Sequence, residues 1–294
     1  MKLVAHLSDP HFGSESPAVT AALLEDLSGG AAPTPAVVLV SGDLTQRARE
    51  HQFRAARAFL DLLPAPYVVV PGNHDVPLYD VWSRLLHPLA RYRRIISDEL
   101  TPTYVDDELA VVGLDTAHGF TFKGGRVTVE QARAAAARFA EHPGRLEILV
   151  VHHPFVLPAG RPARERVDGA DAALPILHDA GVEVICSGHL HVAHASDTAG
   201  FRDERREILA VHAGTCISTR TRGEPNGYNR LVLDGDLLTI HHRVWNGDHF
   251  VDDRHKTYRR EAGRWLHAPG AIVRPWPASD RAPSDGQTRA PPAS

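Results

Sequence analysis

The sequence predicts an α/β fold with mixed sheets, in which helices cover sheets of parallel and antiparallel strands. Short runs rich in Val, Ile and Leu have the length and the β-branched content of buried strands. In the first half of the chain, segments with apolar residues at three- and four-residue spacing lie between these runs, which indicates helices that cover a sheet. From about residue 207 the strands follow one another through the turns NG and DGD, which indicates antiparallel hairpins.

The predicted elements follow from these patterns. The strands are, in chain order, KLVAHL (2–7), AVVLV (36–40), YVVVP (67–71), LAVVGL (109–114), EILVV (147–151), VEVICS (182–187), EILAV (207–211) and RLVLDGDLLTIHHRV (230–244). The helices are SPAVTAALLEDLSG (16–29), REHQFRAARAFLDLL (49–63), VTVEQARAAAARFAEH (127–142) and GADAALPILHDAG (169–181). The last helix ends on a Gly, as many helices do. A layered α/β domain fits this order of elements best.

Composition and charge narrow the class of protein. The chain has 294 residues, of which 43% are hydrophobic and 23% charged, as in soluble globular proteins. Its net charge of -4 gives no overall electrostatic reason to expect a nucleic-acid polymer or an anionic membrane as a partner. The N-terminal MKLVAHLSDPHF is too short and too polar for a signal peptide, and no apolar run is long enough to span a bilayer. We therefore expect a cytoplasmic protein.

Two further features complete this survey. Cys186 and Cys216 have neither the number nor the spacing of a disulfide framework or a thiolate zinc site, and both lie in apolar stretches. We expect them to be small buried hydrophobic residues. Residues 271–294 are poor in apolar residues and rich in Pro, Ala and Ser, which predicts a flexible tail.

Polar residues recur where five predicted strands end. Ligands of α/β proteins bind at the carboxyl ends of strands, so these side chains could converge on one site. The stretches are SDPHF with Asp9 and His11, SGDLT with Asp43, PGNHD with Asn73, HHP with His152, and SGHLH with His189 and His191. Any one of these motifs alone is ordinary turn chemistry, but all five in order are not.

The seven side chains offer imidazole nitrogens, carboxylate oxygens and one amide oxygen, with no thiolate. Such donors suit Zn, Mn, Fe or Co better than Ca or Mg. Seven donors are too many for one tetrahedral ion. They suit two ions if one carboxylate bridges them, and two ions roughly 3.5–4 Å apart form a clamp for phosphoryl displacement.

The ordered series D-x-H, G-D, G-N-H-D, H-x-P and G-H-x-H resembles the calcineurin-like metallophosphoesterase superfamily, and most of all its bacterial class III cyclic-nucleotide phosphodiesterase branch. The match covers residues 3–191, and the hairpin strands to about 245 would complete the fold. The resemblance implies a layered α-β-β-α metallophosphoesterase sandwich with mixed sheets. It also implies a catalytic domain over residues 1–270.

The resemblance also implies a role for each residue. Asp9, His11 and His191 would bind the first metal, Asp43 would bridge, and Asn73, His152 and His189 would bind the second. The H-x-P spacing selects His152 as the ligand in HHP, which leaves His153 outside the ligand set. His74 would lie beside the phosphate, and Asp75 would orient it through the other ring nitrogen. Arg126, Arg220 and Arg222 are candidates for contacting phosphate, against the commoner case of a solvated surface arginine.

The implied function is hydrolysis of small phosphodiesters, including cyclic nucleotides, by a metal-bridged hydroxide. A phosphomonoesterase or a protein phosphatase would use the same metal core. A metal-binding or interaction module that keeps the fold without turnover is the alternative from another class. A serine hydrolase and a P-loop enzyme are disfavoured, because the chain has no G-x-S-x-G elbow and no Gly-Lys-Ser/Thr motif after a strand. Enzymes of the family that the chain resembles are often dimers, so the resemblance also suggests a homodimer.

Overall fold

Two mixed sheets form the centre of the protein. The computed structural model describes residues 1–29, 33–119, 124–197, 208–261 and 263–271. The first sheet has the strand order β13-β12-β11-β10-β1-β2-β3. Its strands are β1 (Lys2–Leu7), β2 (Val37–Ser41), β3 (Tyr67–Val70), β10 (Gly227–Asp234), β11 (Leu237–Trp245), β12 (Phe250–Glu261) and β13 (Arg264–His267). Strands β1, β2 and β3 are parallel, and β10 to β13 continue from β1 as antiparallel neighbours.

The second sheet is parallel in its middle and antiparallel at both edges. Its strand order is β4-β5-β6-β7-β9-β8. Its strands are β4 (Thr103–Val105), β5 (Leu109–Gly113), β6 (Leu146–Val150), β7 (Val184–Ser187), β8 (His194–Asp197) and β9 (Leu209–His212). Strands β5, β6, β7 and β9 run parallel, while β4 and β8 pair antiparallel to their neighbours. The central strands are buried along their whole length, as strands covered on both faces must be.

The described segments of the chain contain six α-helices. They are α1 (Pro17–Leu27), α2 (Glu50–Asp61), α3 (Val81–Leu86), α4 (Ala90–Ile95), α5 (Val129–Ala140) and α6 (Ala170–Asp179). Short 3-10 turns span Asn73–Asp75 and Ala163–Glu165. None of the helices in the described segments has the length and apolar composition needed to cross a bilayer.

Three apolar layers define the architecture. One lies between the two sheets and joins residues such as Val4, Leu39 and Val70 of the first sheet to Ile148 and Val184 of the second. A second layer joins the outer face of the first sheet to α1, α2 and α4. The third joins the outer face of the second sheet to α5 and α6. This is the α-β-β-α sandwich with mixed sheets, so the predicted fold class is confirmed.

Local chemistry explains where the helices begin. Pro17 occupies the first position of α1, where its missing N–H breaks no helical hydrogen bond. Thr128 caps α5: its hydroxyl accepts from the Gln131 amide at 3.2 Å, and the Gln131 side chain accepts from the Thr128 amide at 3.0 Å. Both helices are therefore fixed at their N-termini by residues visible in the sequence.

Some elements lie outside the predicted set. Strands β4, β8, β12 and β13 and helices α3 and α4 were not predicted. In β12 the run Asp252–Lys256 is exposed, so it lacks the apolar alternation of a half-buried strand, and β8 contains only four residues. Helices α3 and α4 have six residues each, too few to show a helical period. Except for Ala271, the predicted tail 271–294 lies outside the described residues.

The strand ends of the two sheets interlock where they meet. The His189 amide donates to Asp9 Oδ2 at 3.1 Å, and His152 Nδ1 lies 2.7 Å from the Ser41 carbonyl oxygen. Glycine is required for this approach. A Cβ on Gly188 would overlap the Ser8 hydroxyl and lie 2.7 Å from Asp9 Oδ2, and a Cβ on Gly72 would overlap Asp43. The motif glycines thus let one polar turn pack directly against another.

We predict that Gly188→Ala lowers the free energy of unfolding by about 1–3 kcal/mol, because the added methyl group overpacks the junction of the sheets. Gly270→Ala is the matched control, since no heavy atom lies within 4 Å of its built Cβ, and it should change stability by less than about 0.5 kcal/mol. Urea unfolding of the two metal-free variants measures the difference. Equal midpoints would contradict the close packing described here.

Candidate metal centre

The structure brings the seven predicted ligand residues together at the junction of the two sheets. Six of them, all but Asn73, offer ligand atoms in adjoining groups whose members lie within 4.8 Å of one another. One group contains Asp9, His11 and His191, and a second contains Asp9, Asp43 and His152. Because these groups share Asp9, they form one continuous cluster rather than separate sites.

Asp9 holds the first part of the cluster. Its Oδ1 lies 3.6 Å from His11 Nε2 and 3.5 Å from His191 Nε2. Its other oxygen, Oδ2, accepts from the Ser8 hydroxyl at 2.6 Å and from the His189 amide at 3.1 Å. The carboxylate is fully buried. One oxygen is therefore held by the protein, and the other faces the two imidazoles.

Asp43 lies between the two parts of the cluster. Its Oδ2 is 3.7 Å from His11 Nε2, and its Oδ1 is 3.4 Å from His152 Nε2. The His74 amide donates to Oδ1 at 2.8 Å and so fixes the orientation of the carboxylate. This position between two sets of nitrogens is what a bridging carboxylate requires.

Asn73 occupies the centre of the second part. Its side-chain oxygen lies 3.2 Å from His152 Nε2 and 3.1 Å from His189 Nδ1. The two imidazoles come from the second sheet, whereas Asn73 follows β3 of the first. The second part of the cluster is therefore also shared between the sheets.

Hydrogen bonds on the far side of two rings orient their Nε2 atoms toward the cluster. His152 Nδ1 lies 2.7 Å from the Ser41 carbonyl oxygen, which can only accept, so this nitrogen carries a proton and Nε2 faces the cluster. His191 Nδ1 lies 2.6 Å from the Thr215 hydroxyl, which leaves its Nε2 facing Asp9. Partners of this kind hold the ring orientation of a metal-binding histidine, and the carbonyl partner also selects the tautomer.

Burial determines the protonation of the cluster. It lowers the pKa of His189 to about 3 and that of His11 well below its usual value, so both rings are neutral at pH 7. Burial also raises the pKa of the Asp43 carboxyl well above its usual value. For Asp9, burial is the largest influence and raises the pKa, but the surrounding histidines outweigh it and the net shift is downward. Neutral imidazoles beside desolvated carboxyls are the surroundings that a cation would stabilise.

The backbone at the cluster adopts an unusual conformation. Six described residues other than glycine have a positive φ angle, and five of them belong to the predicted ligand set. They are Asp9 (φ 51°), His11 (φ 46°), Asp43 (φ 54°), His189 (φ 69°) and His191 (φ 57°). A left-handed conformation costs a non-glycine residue about 1–2 kcal/mol. Strain of this kind accumulates at functional sites, where the surrounding contacts hold the side chains in a required direction.

His74 lies at the edge of the cluster, with its ring centroid 4.8 Å from that of His11. Its Nδ1 lies 2.9 Å from the Gln46 carbonyl oxygen, and its Nε2 lies 3.4 Å from Arg220 Nη1. The expected contact between Asp75 and this ring is therefore wrong. Asp75 instead accepts from the backbone amides of Gly72, Leu44 and Thr45 at 2.8–3.0 Å.

The role of Asp75 follows from these bonds. A buried carboxylate that accepts several backbone amides fixes the turn after β3 to the turn after β2, and it reaches His74 only through the backbone. The ring itself is oriented by Gln46, which the sequence analysis did not single out.

Two more residues in contact with the cluster were not singled out. Ser8 and Thr215 bind Asp9 and His191, as described above. His153 was placed outside the ligand set, yet one of its nitrogens lies within 4.8 Å of ligand atoms of His152 and His189. Its Nδ1 lies 2.9 Å from the Thr116 hydroxyl. Thr215 follows β9, so it would have emerged from the same survey of strand ends that identified the ligands.

The residues fit a transition-metal site. Asp9 Oδ1 and His11 Nε2 are buried and have no hydrogen-bond partner among the described residues, and each lies beside other potential ligand atoms. Buried polar atoms are almost always paired, so two unpaired ones facing each other call for a ligand between them. Oxygen and imidazole donors without thiolates suit Fe, Mn, Zn or Co.

Two curated proteins are similar in sequence to this chain. The chain is 28% identical over 169 residues to glycerophosphodiester phosphodiesterase GpdQ of Enterobacter lignolyticus, which is 54% of this chain and 58% of that protein. It is 25% identical over 171 residues to a protein of Synechococcus sp. named a probable cyclic nucleotide phosphodiesterase, or 54% of this chain and 59% of that one. The chain thus matches less than two thirds of the length of these curated relatives.

A solved structure shares the fold. A dimetal phosphatase from Danio rerio superposes with a TM-score of 0.61 at 14% identity, covering 85% of this chain and 98% of that one. The family model described as calcineurin-like phosphoesterase matches residues 2–193, which include all seven predicted ligands. The chain therefore belongs to the calcineurin-like phosphoesterase family.

Proposed function

We propose that this protein hydrolyses small phosphodiesters with the help of two transition-metal ions. One observation carries the proposal: donor side chains from five strand ends of two sheets meet in a single buried cluster, with Asp43 between its two parts. Asp9, His11 and His191 would hold one ion, and Asn73, His152 and His189 the other, with Asp43 bridging. The named relatives support a phosphodiester as the substrate class.

The protein's own groups prepare the reaction in two ways, beside the chemistry that the cations would supply. When bound, the two cations supply Lewis acidity, making a water molecule nucleophilic at neutral pH and screening charge on the phosphate. The Ser8 hydroxyl and the His74 amide hold the two carboxylates in place, so little reorganisation is needed during the reaction. His74 and Arg220 lie at the edge of the cluster, where they can contact the non-bridging oxygens.

His74 could act as an acid or as an orienting group, and its contacts favour the second. The Gln46 carbonyl accepts from Nδ1–H, and Arg220 donates toward Nε2, which leaves no proton on Nε2 in this arrangement. A proton for the leaving alkoxide would first have to reach Nε2. Positioning of the phosphate beside Arg220 needs no such transfer.

The substrate is proposed from chemistry and from the relatives' names. A compact family domain with a net charge of -4 has no general attraction for a polymeric nucleic acid. A glycerophosphodiester or a cyclic nucleotide is small enough to reach a cluster this deeply buried. Phosphomonoesters remain the alternative substrate class, and an interaction module without turnover the alternative of another kind.

Asn73→Ala should lower kcat/KM for bis(p-nitrophenyl) phosphate by roughly 100-fold or more and reduce the bound metal, because an essential neutral oxygen is lost. The exposed Asn246→Ala is the matched control and should stay within about twofold of the wild type. Steady-state rates and elemental analysis of protein loaded with Mn, Fe, Zn or Co measure both effects. Equal metal content in the wild type and Asn73→Ala, with no hydrolysis by either, would support the interaction module instead.

His74→Ala should lower kcat by roughly 100-fold while leaving the metal content unchanged, because the ring positions Arg220 beside the phosphate and does not bind the cations. His249→Ala, at a histidine whose side chain is 65% exposed, is the control and should behave like the wild type. Loss of metal from His74→Ala would place this residue among the ligands and contradict the assignment.

The substrate class can be tested by initial rates on 2′,3′-cAMP, 3′,5′-cAMP, a glycerophosphodiester and a phosphomonoester under one metal condition. We expect the diesters to be hydrolysed faster than the monoester. Turnover of the monoester alone would overturn the proposed substrate class while leaving the metal centre intact.

A further inference from the structure

A cavity of about 420 Å³ lies between helices α3 and α4 and the loop that follows β5. Cavities of roughly 300–1,000 Å³ are typical of small-molecule sites. Its described lining contains none of the seven candidate metal ligands, so the cavity is separate from the metal centre. Most of the lining is apolar and consists of Leu85, Leu86, Pro88, Leu89, Leu100 and Ala117.

Asp115 provides a carboxylate in the wall of this cavity. The Ala117 amide donates to its Oδ1 at 2.7 Å, and the Gln131 side chain donates to its backbone carbonyl at 2.8 Å. Among the described residues, no nitrogen of a lysine, arginine or histidine side chain lies within 4.0 Å of this carboxylate. Asp115 is therefore held in position without a cation as a partner.

The surroundings of Asp115 disfavour an ionised carboxylate that has no partner. Burial raises the pKa of Asp115 to about 7; the hydrogen bond from the Ala117 amide acts against this rise, and the charge of Asp75 adds to it. A carboxylate in a mainly apolar cavity has lost part of its hydration, and a cation beside it offsets that loss. A ligand with a positive charge would therefore favour the ionised form.

The basic side chains of the cavity do not supply this charge. Arg93 Nε donates to Asp98 at 2.7 Å. Burial, followed by the charge of Arg126, lowers the pKa of His118. His87 is the third basic residue in the described lining, and like the other two it lies more than 4.0 Å from the Asp115 carboxylate.

Contacts on both sides of the cavity hold it open. On the helix side, the Tyr92 hydroxyl donates to the Val69 carbonyl at 3.1 Å, which fixes α4 to β3. The ring is buried, and burial raises the pKa of its hydroxyl well above the usual value, so it is neutral. On the loop side, the Thr116 carbonyl accepts from the Arg126 amide at 3.0 Å. Leu86 lines the cavity and is 65% exposed, so the cavity is accessible to solvent.

We propose that this cavity binds a small organic ammonium ion with an apolar body. Asp115 pairs with the ammonium group, and the leucine side chains cover the apolar part. A hydrated inorganic cation would meet one carboxylate and an apolar wall, and an anionic ligand would be repelled by Asp115. An apolar cavity that contains one polar group with a shifted pKa is the usual form of a ligand site. The proposal does not depend on the phosphodiesterase activity.

Three probes that differ only in their polar end test the proposal: hexylammonium, 1-hexanol and hexanoate. Calorimetry on the metal-loaded full chain at pH 8 should show that hexylammonium binds at least about tenfold more tightly than 1-hexanol, the size expected for a charge-assisted hydrogen bond. Hexanoate should bind most weakly. In Asp115→Asn, which keeps an oxygen for the Ala117 amide, the ratio should fall to near one. Asp179→Asn, at a carboxylate that is 84% exposed, is the matched control and should keep the wild-type ratio.

The pH dependence gives a second measurement on the wild type. Between pH 8 and pH 5.5 the affinity for hexylammonium should fall by more than about tenfold, because Asp115 takes up a proton below pH 7 while the alkylammonium stays charged. The affinity for 1-hexanol should change by less than about threefold, since a neutral probe gains no ion pair. Any positive charge that His87 and His118 gain at low pH weakens ammonium binding in the same direction, so Asp115→Asn measures their share.

A third measurement locates the probe if Asp115→Asn fails to fold. Ala90 lies at the first position of α4, is exposed and lines the cavity, so Ala90→Leu should narrow the cavity without disturbing the core. It should weaken both hexylammonium and 1-hexanol by roughly tenfold. Equal affinity for these two probes in the wild type would overturn the proposal, as would a preference that survives in Asp115→Asn. Tighter binding of hexanoate, or no binding of hexylammonium up to about 10 mM, would overturn it as well.

Discussion

The packing of the two sheets through their shared apolar layer is the constraint on which the metal centre depends. Neither sheet contains a complete set of ligands: Asp9, Asp43 and Asn73 follow strands of the first sheet, and His152 and His189 follow strands of the second. Val, Leu and Ile side chains between the sheets hold the two groups of strand ends at one level. A shift of one sheet against the other would separate the candidate ligand atoms. The geometry of the site therefore depends on the packing of the apolar layer between the sheets.

The packing at the junction is close because the loops leave no spare volume. Gly188 approaches Ser8 and Asp9, and Gly72 approaches Asp43, at distances that exclude any side chain. Five predicted ligands have a left-handed backbone with positive φ, which is an unfavourable conformation found at the same junction. Burial of the large apolar layers on either side stabilises the fold and offsets the free-energy cost of this strained backbone.

A second network positions the side chains at the edge of the cluster. Gln46 accepts from His74 through its carbonyl and from Arg220 through its side chain, so one residue positions both groups. Asp75 fixes two turns to each other by accepting from their backbone amides. The loop that bears Arg220 also provides Thr215, which contacts His191. The same loops thus hold both the candidate ligands and the groups beside them.

The amino-acid sequence was sufficient for the central architecture and for proposing a set of candidate ligands. Buried strands are continuous apolar runs and the longer helices show a clear period, so β1, β2, β3, β5, β6, β7 and β9 to β11 could be predicted, as could α1, α2, α5 and α6. The candidate ligands could be proposed from local patterns, because each strand and the polar side chains that follow it are adjacent in the chain. Short or exposed elements such as α3 and β12 could not be predicted, since their form depends on neighbours distant in the chain.

The contacts of individual side chains were decided only by the tertiary structure. The G-N-H-D motif places His74 and Asp75 side by side, which suggested that one orients the other. In the folded chain they point to different neighbours, because Asp75 is drawn to the backbone amides of the adjacent turn and His74 to Gln46. Arg220 lies 146 residues from His74 in the chain, so no local pattern could connect them. A sequence determines which side chains follow a strand, but long-range packing determines which partner each one meets.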